Sequence, residues 1–378
     1  MILLAGGHDK GIPFDDLRCF DDRVKLCVAF GETRAQFKDV FSRCVCVTTM
    51  EEALDEAIKN SAPGDVILLS PACSSFDQFK NYEERGRIFK EMVRERLAKG
   101  AYMFLEIIKA ILMGIVEGIT EWLPISSTGH MILLEELLPM KVSESFWEMF
   151  LVVIQLGAIL AVVVLYWNKI FPFNFRNKNR PFLRYDVFQL WFKILVACIP
   201  AAIVGLLFDD WLNAHLYNAV VVAIMLVLVG IAFIIIENRN RGRRARVDSM
   251  HQLSFGDAFI IGLFQLIAAI FPGTSRSGAT IIGGLMIGIS RTVAAEFTFY
   301  LAIPVMLGAS LLKLVRFGLA FTTMELVLLL VGMAVAFIVS ILVIRFLMNY
   351  IKKHDFKVFG WYRIVLGILV LLYFFVIR

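Results

Sequence analysis

The sequence predicts an α-helical polytopic membrane protein with two re-entrant helix hairpins in inverted repeat, preceded by a small soluble α/β domain. Three observations carry that class. The chain of 378 residues is 59% hydrophobic and only 19% charged, too apolar for an ordinary soluble protein of this size. The excess starts near Tyr102: the first hundred residues read as soluble, and apolar runs of spanning length recur from there on. Two of those runs are broken by a proline followed by a Ser/Thr/Gly cluster, and the two match one another at a fixed offset.

Taken in order, residues 1–98 alternate short β-rich runs (Ile2–Ala5, Lys25–Phe30, Cys44–Thr48, Val66–Leu69) with helical patterns. That alternation predicts a three-layer, Rossmann-like domain with a largely parallel sheet. A highly charged helix from about Phe76 to Lys99 follows and leads as a stalk through Lys99-Gly100 into the membrane part, residues 99–378. Five of the six cysteines (Cys19, Cys27, Cys44, Cys46, Cys73) lie in this first part and Cys198 in a membrane segment. No CxxC pair or zinc-spaced histidine accompanies them, so free thiols in a reducing compartment are expected. The stretch Met1–Lys10 lacks the basic region and length of a signal peptide, so this domain is expected to stay in the cytosol.

Apolar segments then fall near 103–125, 146–167, 187–208, 216–237, 255–271, 278–289, 292–315, 325–349 and 359–377. Basic clusters separate some of them, at Arg176–Arg180 and Arg239–Arg246, and supply much of the formal charge of +5. Such clusters mark cytoplasmic loops rather than nucleic-acid sites, and no nucleic-acid partner is expected. Asp209, Asp210 and His215 read as solvated loop residues. The segments ending at Pro124 and Pro272 are too short to cross alone and read as broken or re-entrant helices.

Gly114, Glu117, Pro124 and Ser127 match Gly262, Gln265, Pro272 and Ser275 at one offset of 148, and Glu148 matches Glu296 at the same offset. Corresponding interrupted segments in two halves of a membrane protein point to a central site where the halves meet. Charge-based placement brings the chain into the second half from inside, so an inverted first half would be entered from outside. That collides with a cytosolic first domain, whose placement we weigh above that of single loops.

Each half carries its own chemistry. A carboxylate near a bilayer centre costs about 3 kcal/mol, so Glu117 and Glu121 are expected to line an enclosed cavity. Four residues apart, they share a helix face and suit either a divalent cation or an acid/base couple. After Pro124 come Ser126, Ser127, Thr128, Gly129 and His130, hydroxyl nucleophiles beside a titratable imidazole. The second half, Gly273-Thr274-Ser275-Arg276-Ser277-Gly278-Ala279-Thr280, opens a helix whose free amides, with the planar Arg276, suit phosphate oxygens. The simpler role for Ser126, Ser127, Ser275 and Ser277 is helix capping and close packing, and for Arg276 an interfacial position. An acid and nucleophile half facing an anion-binding half within a membrane points to phosphoryl transfer or hydrolysis on a lipid phosphate.

With these motifs, Glu117-Gly-Ile-Thr-Glu-Trp-Leu-Pro-Ile-Ser-Ser-Thr-Gly-His130 and Pro272-Gly-Thr-Ser-Arg-Ser-Gly-Ala-Thr280, residues 103–378 resemble the undecaprenyl-pyrophosphate phosphatase family of the bacitracin-resistance lineage. The resemblance implies hydrolysis of the C55 isoprenyl pyrophosphate to the monophosphate carrier reused in peptidoglycan synthesis. It also implies a bacterial plasma-membrane location, a site open toward the periplasm, a divalent cation (Mg or Ca) and a homodimer; Glu117 and Glu121 would bind that metal or set the charge state of His130. Glu117, Glu121, Ser127, His130 and Arg276 fall on its catalytic positions, with Ser127 as nucleophile or water-positioning hydroxyl and His130 as its acid/base partner. Ser275, Ser277 and Thr280 also fall on its functional positions, and with Ser126, Gly273 and Thr274 they are the expected substrate-binding residues.

Residues 1–98 resemble the C-terminal domain of the muramyl ligase that adds D-glutamate to UDP-N-acetylmuramoyl-alanine, through Leu68–Gly86 and the Gly6-Gly7-His-Asp-Lys10 turn. That likeness makes Lys10 and Ser75 ligand candidates. The ligase's ATP-binding and UDP-binding domains are absent and no GxxxxGK[ST] loop occurs, so a docking or regulatory role toward cytosolic cell-wall enzymes is expected, not ligase activity. Two rival functions stand beside hydrolysis: a lipid-phosphate flippase or transporter, and a membrane scaffold for cell-wall ligases.

Overall fold

Four short parallel strands open the chain in the computed structural model, which describes residues 1–174, 182–216, 218–318 and 320–374. Strands β1 (Ile2–Gly6), β2 (Leu26–Phe30), β3 (Cys44–Cys46) and β4 (Ile67–Leu69) lie in the order β3-β2-β1-β4. Ile2 sits opposite both Leu26 and Ile67, so β1 is central. All five of its residues are buried, as a strand covered on both faces requires. Helix α1 (Arg34–Val40) packs Phe37 and Val40 on the face bearing Leu3, Ala5, Cys27 and Ala29. Helix α2 (Met50–Lys59) packs Met50, Ala53, Leu54 and Ala57 on the other, against Ile2, Leu4, Val28 and Phe30. A capping box between Thr49 and Glu52 starts α2.

The chain divides into two compact units, Met1–Met103 and Phe104–Arg378. One helix of 39 residues, α3 (Tyr82–Thr120), runs across that boundary, where two separate segments were expected. Gly100 inside a helix costs only about 1 kcal/mol and no proline accompanies it, so nothing local stops the helix there.

The second unit is helical: α4 (Ser127–Leu137), α5 (Glu144–Val153), α6 (Gln155–Ile170), α7 (Tyr185–Leu216), α8 (Ala219–Arg239), α9 (Phe255–Ile270), α10 (Arg276–Met286), α11 (Arg291–Phe317), α12 (Thr323–Tyr350) and α13 (Lys357–Leu372). Among the described residues, five stretches are long and apolar enough to cross a membrane: Glu144–Ile170, Tyr185–Gly205, Val220–Arg239, Arg291–Phe317 and Thr323–Tyr350. The run expected at 146–167 is two helices that meet at Ile154. The run at 187–208 extends to Leu216, so positions 209, 210 and 215 are helical rather than loop. The Arg176–Arg180 cluster and the side chains of Asp209 and Asp210 lie outside the described residues.

Both broken segments use one backbone device. The helix stops, the chain turns through the proline, and a serine at positive φ caps the next helix: Ser126 at φ 77° before α4, Ser275 at φ 68° before α10. Each accepts a hydrogen bond from the glycine amide three residues on, Gly129 and Gly278. The offset between these caps is 149, not 148. The second turn holds one residue more between proline and serine, with Gly273 at φ 88°. There a Cβ would stand 2.5 Å from the Val222 carbonyl oxygen. Ser127 therefore corresponds in space to Arg276, and the pairing of Ser127 with Ser275 is corrected. The matched glutamates are tied reciprocally: Glu148 to Lys313 at 3.1 Å, Glu296 to Lys169 at 2.8 Å. Helices α8 and α13 cross where Gly230 and Gly360 leave room for each other's carbonyl, with Cβ positions 2.7 and 2.8 Å away.

Candidate active site

The last turn of α3 carries Glu117 into the interior and Glu121 follows directly after the helix end, the two being 1% and 5% exposed. Glu121 is the hub. Its Oε1 takes a hydrogen bond from Nη2 of Arg276 at 2.8 Å, and its Oε2 takes one from the Ser127 hydroxyl at 2.9 Å. Its backbone carbonyl accepts from the Ser277 hydroxyl at 3.1 Å. Residues 155 positions apart thus join in one ion pair, with Glu121 buried and Arg276 half-buried. Desolvating both charges is offset only because each is also hydrogen-bonded elsewhere. Arg276 gives its Nη1 to the Thr298 carbonyl at 3.0 Å, which fixes the plane of the guanidinium. Thr280, fully buried, bonds the carbonyls of Arg276 and Ser277 and the Thr298 hydroxyl, locking the first turn of α10 to α11.

Glu117 lies beside Glu121, and its Oε1 is buried with no hydrogen-bond partner among the described residues. Its counterpart in the other half, Gln265, is 2% exposed with both amide atoms equally unpartnered. Thr274 likewise has a buried, unpartnered hydroxyl. At the helix starts, Ser127 and Thr128 in α4 and Arg276 and Ser277 in α10 have no intrahelical acceptor for their amides, which leaves two helix N-termini of the kind that suits an anion. Ser275 and Ser277 share a hydroxyl contact at 3.1 Å.

His130 is placed differently from its expected role. Its Nδ1 stands 2.7 Å from the Ser126 carbonyl, which can only accept, so Nδ1 carries the proton. Nε2 stands 2.7 Å from the Tyr362 hydroxyl, and the two rings are coplanar to 1°. Ser127 thus has Glu121, not His130, as its hydrogen-bond acceptor.

Sequence reasoning missed Tyr362 and its neighbour Arg363. Arg363 is fully buried in α13 and donates to three carbonyls: Pro124 at 3.1 Å, Gly273 at 2.8 Å and Thr274 at 2.8 Å. One guanidinium therefore clamps both proline turns. The signal was present: an arginine within sixteen otherwise mostly apolar helical residues is costly unless it has a task.

Among the described residues no three His, Cys, Asp or Glu side chains converge as a metal-binding group. The acidic oxygens here are those of Glu117 and Glu121 alone.

In the first unit, Lys10 is exposed and Ser75 is buried. The pairing of His8 with Ser74 brings their two turns together. Asp9 between them accepts from the Gly11 amide and from Gln36, which hold its carboxyl below the usual range.

The sequence profile described as bacitracin resistance protein BacA matches residues 110–369. The chain belongs to the BacA family. It is 65% identical over 269 residues to an undecaprenyl-diphosphatase of Enterococcus faecalis, covering 71% of this chain and 97% of that protein. Against the undecaprenyl-diphosphatase of Desulfitobacterium hafniense it is 64% identical over 270 residues, 71% of this chain and 96% of that one. Against undecaprenyl-diphosphatase 1 of Clostridium acetobutylicum it is 61% identical over 273 residues, 72% of this chain and 99% of that one. All the site residues named from Glu117 to Arg363 fall inside the BacA match, whereas Lys10 and Ser75 lie outside it.

Proposed function

We propose that this multi-pass membrane protein is an undecaprenyl-diphosphatase, removing the terminal phosphate of undecaprenyl pyrophosphate and returning the monophosphate carrier for peptidoglycan synthesis. The observation that carries this reading is the hydrogen-bonded Ser127–Glu121–Arg276 chain, centred on the buried Glu121 and set in a BacA sequence whose near-full-length relatives bear that name. Ser127 attacks the terminal phosphorus while Glu121 Oε2, already its hydrogen-bond acceptor, takes the hydroxyl proton. The anhydride bond breaks and the lipid monophosphate leaves. Water then hydrolyses the Ser127 phosphoester and releases inorganic phosphate. Arg276 and the amides opening α4 and α10 stabilise the equatorial phosphoryl oxygens. His130, its Nδ1 proton fixed, presents Nε2 with Tyr362 as the proton store beside the turn.

The donor set suits a divalent cation: hard oxygen ligands, one of them the unpartnered Oε1 of Glu117. Magnesium is commonly held by one or two carboxylates and the substrate's own phosphate oxygens. Glu117 and Glu121 would hold it, and it would supply charge neutralisation on the pyrophosphate.

The reciprocal Glu148–Lys313 and Glu296–Lys169 pairs and the twin serine caps support an inverted repeat with two re-entrant hairpins. That architecture also suits a lipid-phosphate flippase, the second reading. For the first unit the parallel sheet and the juxtaposed turns that carry Lys10 and Ser75 support a ligase-like docking module. Purified protein incubated with undecaprenyl pyrophosphate tests the reading: stoichiometric release of inorganic phosphate supports the phosphatase, and binding or transbilayer movement without release supports the flippase.

A further inference from the structure

Three of the six cysteines share one face of the sheet in the first unit, and nothing in the phosphatase reading uses them. Cys27 on β2 is the register partner of Cys44 on β3, and Cys46 follows two residues along the same strand, on the same side. Strand β3 is the edge of the sheet and only three residues long. Cys27 is buried, Cys44 half-buried and Cys46 exposed, so the three form a graded path from solvent to core. The thiols of Cys27 and then Cys46, acting as weak donors, together with nearby Lys38, hold Cys44 below the ordinary thiol range. The hydrogen bond to Cys44, with burial, pushes Cys27 up. A low thiol flanked by protonated ones is the arrangement of an attacking and a resolving cysteine. The three do not converge as a metal set among the described residues.

We propose that Cys44 is a redox modification site, oxidised by a small hydroperoxide and resolved by Cys27 into a disulfide that ties the edge strand to its neighbour. The Cys44 thiolate attacks one oxygen of the peroxide, the O–O bond breaks, and sulfenic acid forms with release of hydroxide, which takes up a proton as water. The Cys27 thiol then attacks the Cys44 sulfur, its proton leaving with the sulfenic hydroxyl as a second water. Two thiols are oxidised by two electrons and one peroxide is reduced to two waters. Directly paired residues on adjacent strands have Cα atoms roughly 4.8 Å apart, inside the roughly 4.4–6.8 Å that a disulfide spans. Exposed Cys19, on a 3₁₀ segment without a thiol neighbour, serves as the internal control.

The test uses the full-length reduced protein in detergent, treated with a small molar excess of hydrogen peroxide, quenched with iodoacetamide and mapped by peptide mass. The expected result is a Cys27–Cys44 linked peptide, reversible by dithiothreitol, with Cys44 consumed about tenfold faster than Cys19. In Cys27→Ser, Cys44 should instead be trapped by dimedone. Equal rates for Cys44 and Cys19, or loss of Cys44 without any link to Cys27, would overturn the proposal. The rate comparison needs only the unmodified chain, so poor folding of the variant leaves it decisive.

Discussion

The two half-sites share a backbone and differ in chemistry. In each, a helix ends before a proline, a serine at positive φ caps the next helix, and the residue just after that serine faces the centre. In the first half that residue is Ser127, the proposed nucleophile; in the second it is Arg276, a fixed cation. One turn or more back, Glu117 in the first half is Gln265 in the second, the same shape without the charge. The comparison teaches that one backbone geometry can present different chemistry when a few positions differ. Glu121 and Arg363 then bind the halves into one site.

The division of labour can be broken from either side. Ser127→Ala should lower kcat by about 10³-fold or more with little change in KM, measured as phosphate release, because the attacking group is gone while the anion cradle stays. Ser127→Ala with full turnover would remove serine as nucleophile. Arg276→Ala should cost about 10²–10³-fold and destabilise the protein, since Glu121 is left buried and unpaired at about 3–5 kcal/mol. Arg276→Lys should recover only part, because one ammonium cannot serve both Glu121 and the Thr298 carbonyl in the same plane.

Smaller effects sharpen the comparison. Arg363→Met should lower the thermal midpoint in detergent, because three buried carbonyls at the two turns lose their donor at about 1–3 kcal/mol each. Tyr362→Phe should reduce kcat by less than about tenfold, as it removes only the outer partner of His130. Deleting residues 1–98 should leave kcat/KM within about twofold, since the first unit is compact by itself and has its own core.

Much of this was legible in the sequence because buried charge in apolar sequence is rare and the repeat displays it twice. The acidic pair, the serine turn, Arg276 and the four parallel strands were read from residue types and spacing. The one-residue slip at Gly273 was not, because a constant offset is blind to an insertion inside the matched stretch. The unbroken α3 was missed because Lys99-Gly100 looks like punctuation, yet a single glycine is a weak helix stop. His130 was paired with Ser127 on proximity in the chain. Its actual partner, Tyr362, is 232 residues away and reaches it only after α13 has packed on α8.

The most direct test of the two halves acting as one site is a double-mutant cycle on Ser127 and Arg276, read as phosphate release from undecaprenyl pyrophosphate by the full-length protein. If both act on one transition state, Ser127→Ala combined with Arg276→Ala should be about as slow as the slower single variant. Losses that multiply in the double variant would show two independent contributions and contradict the account.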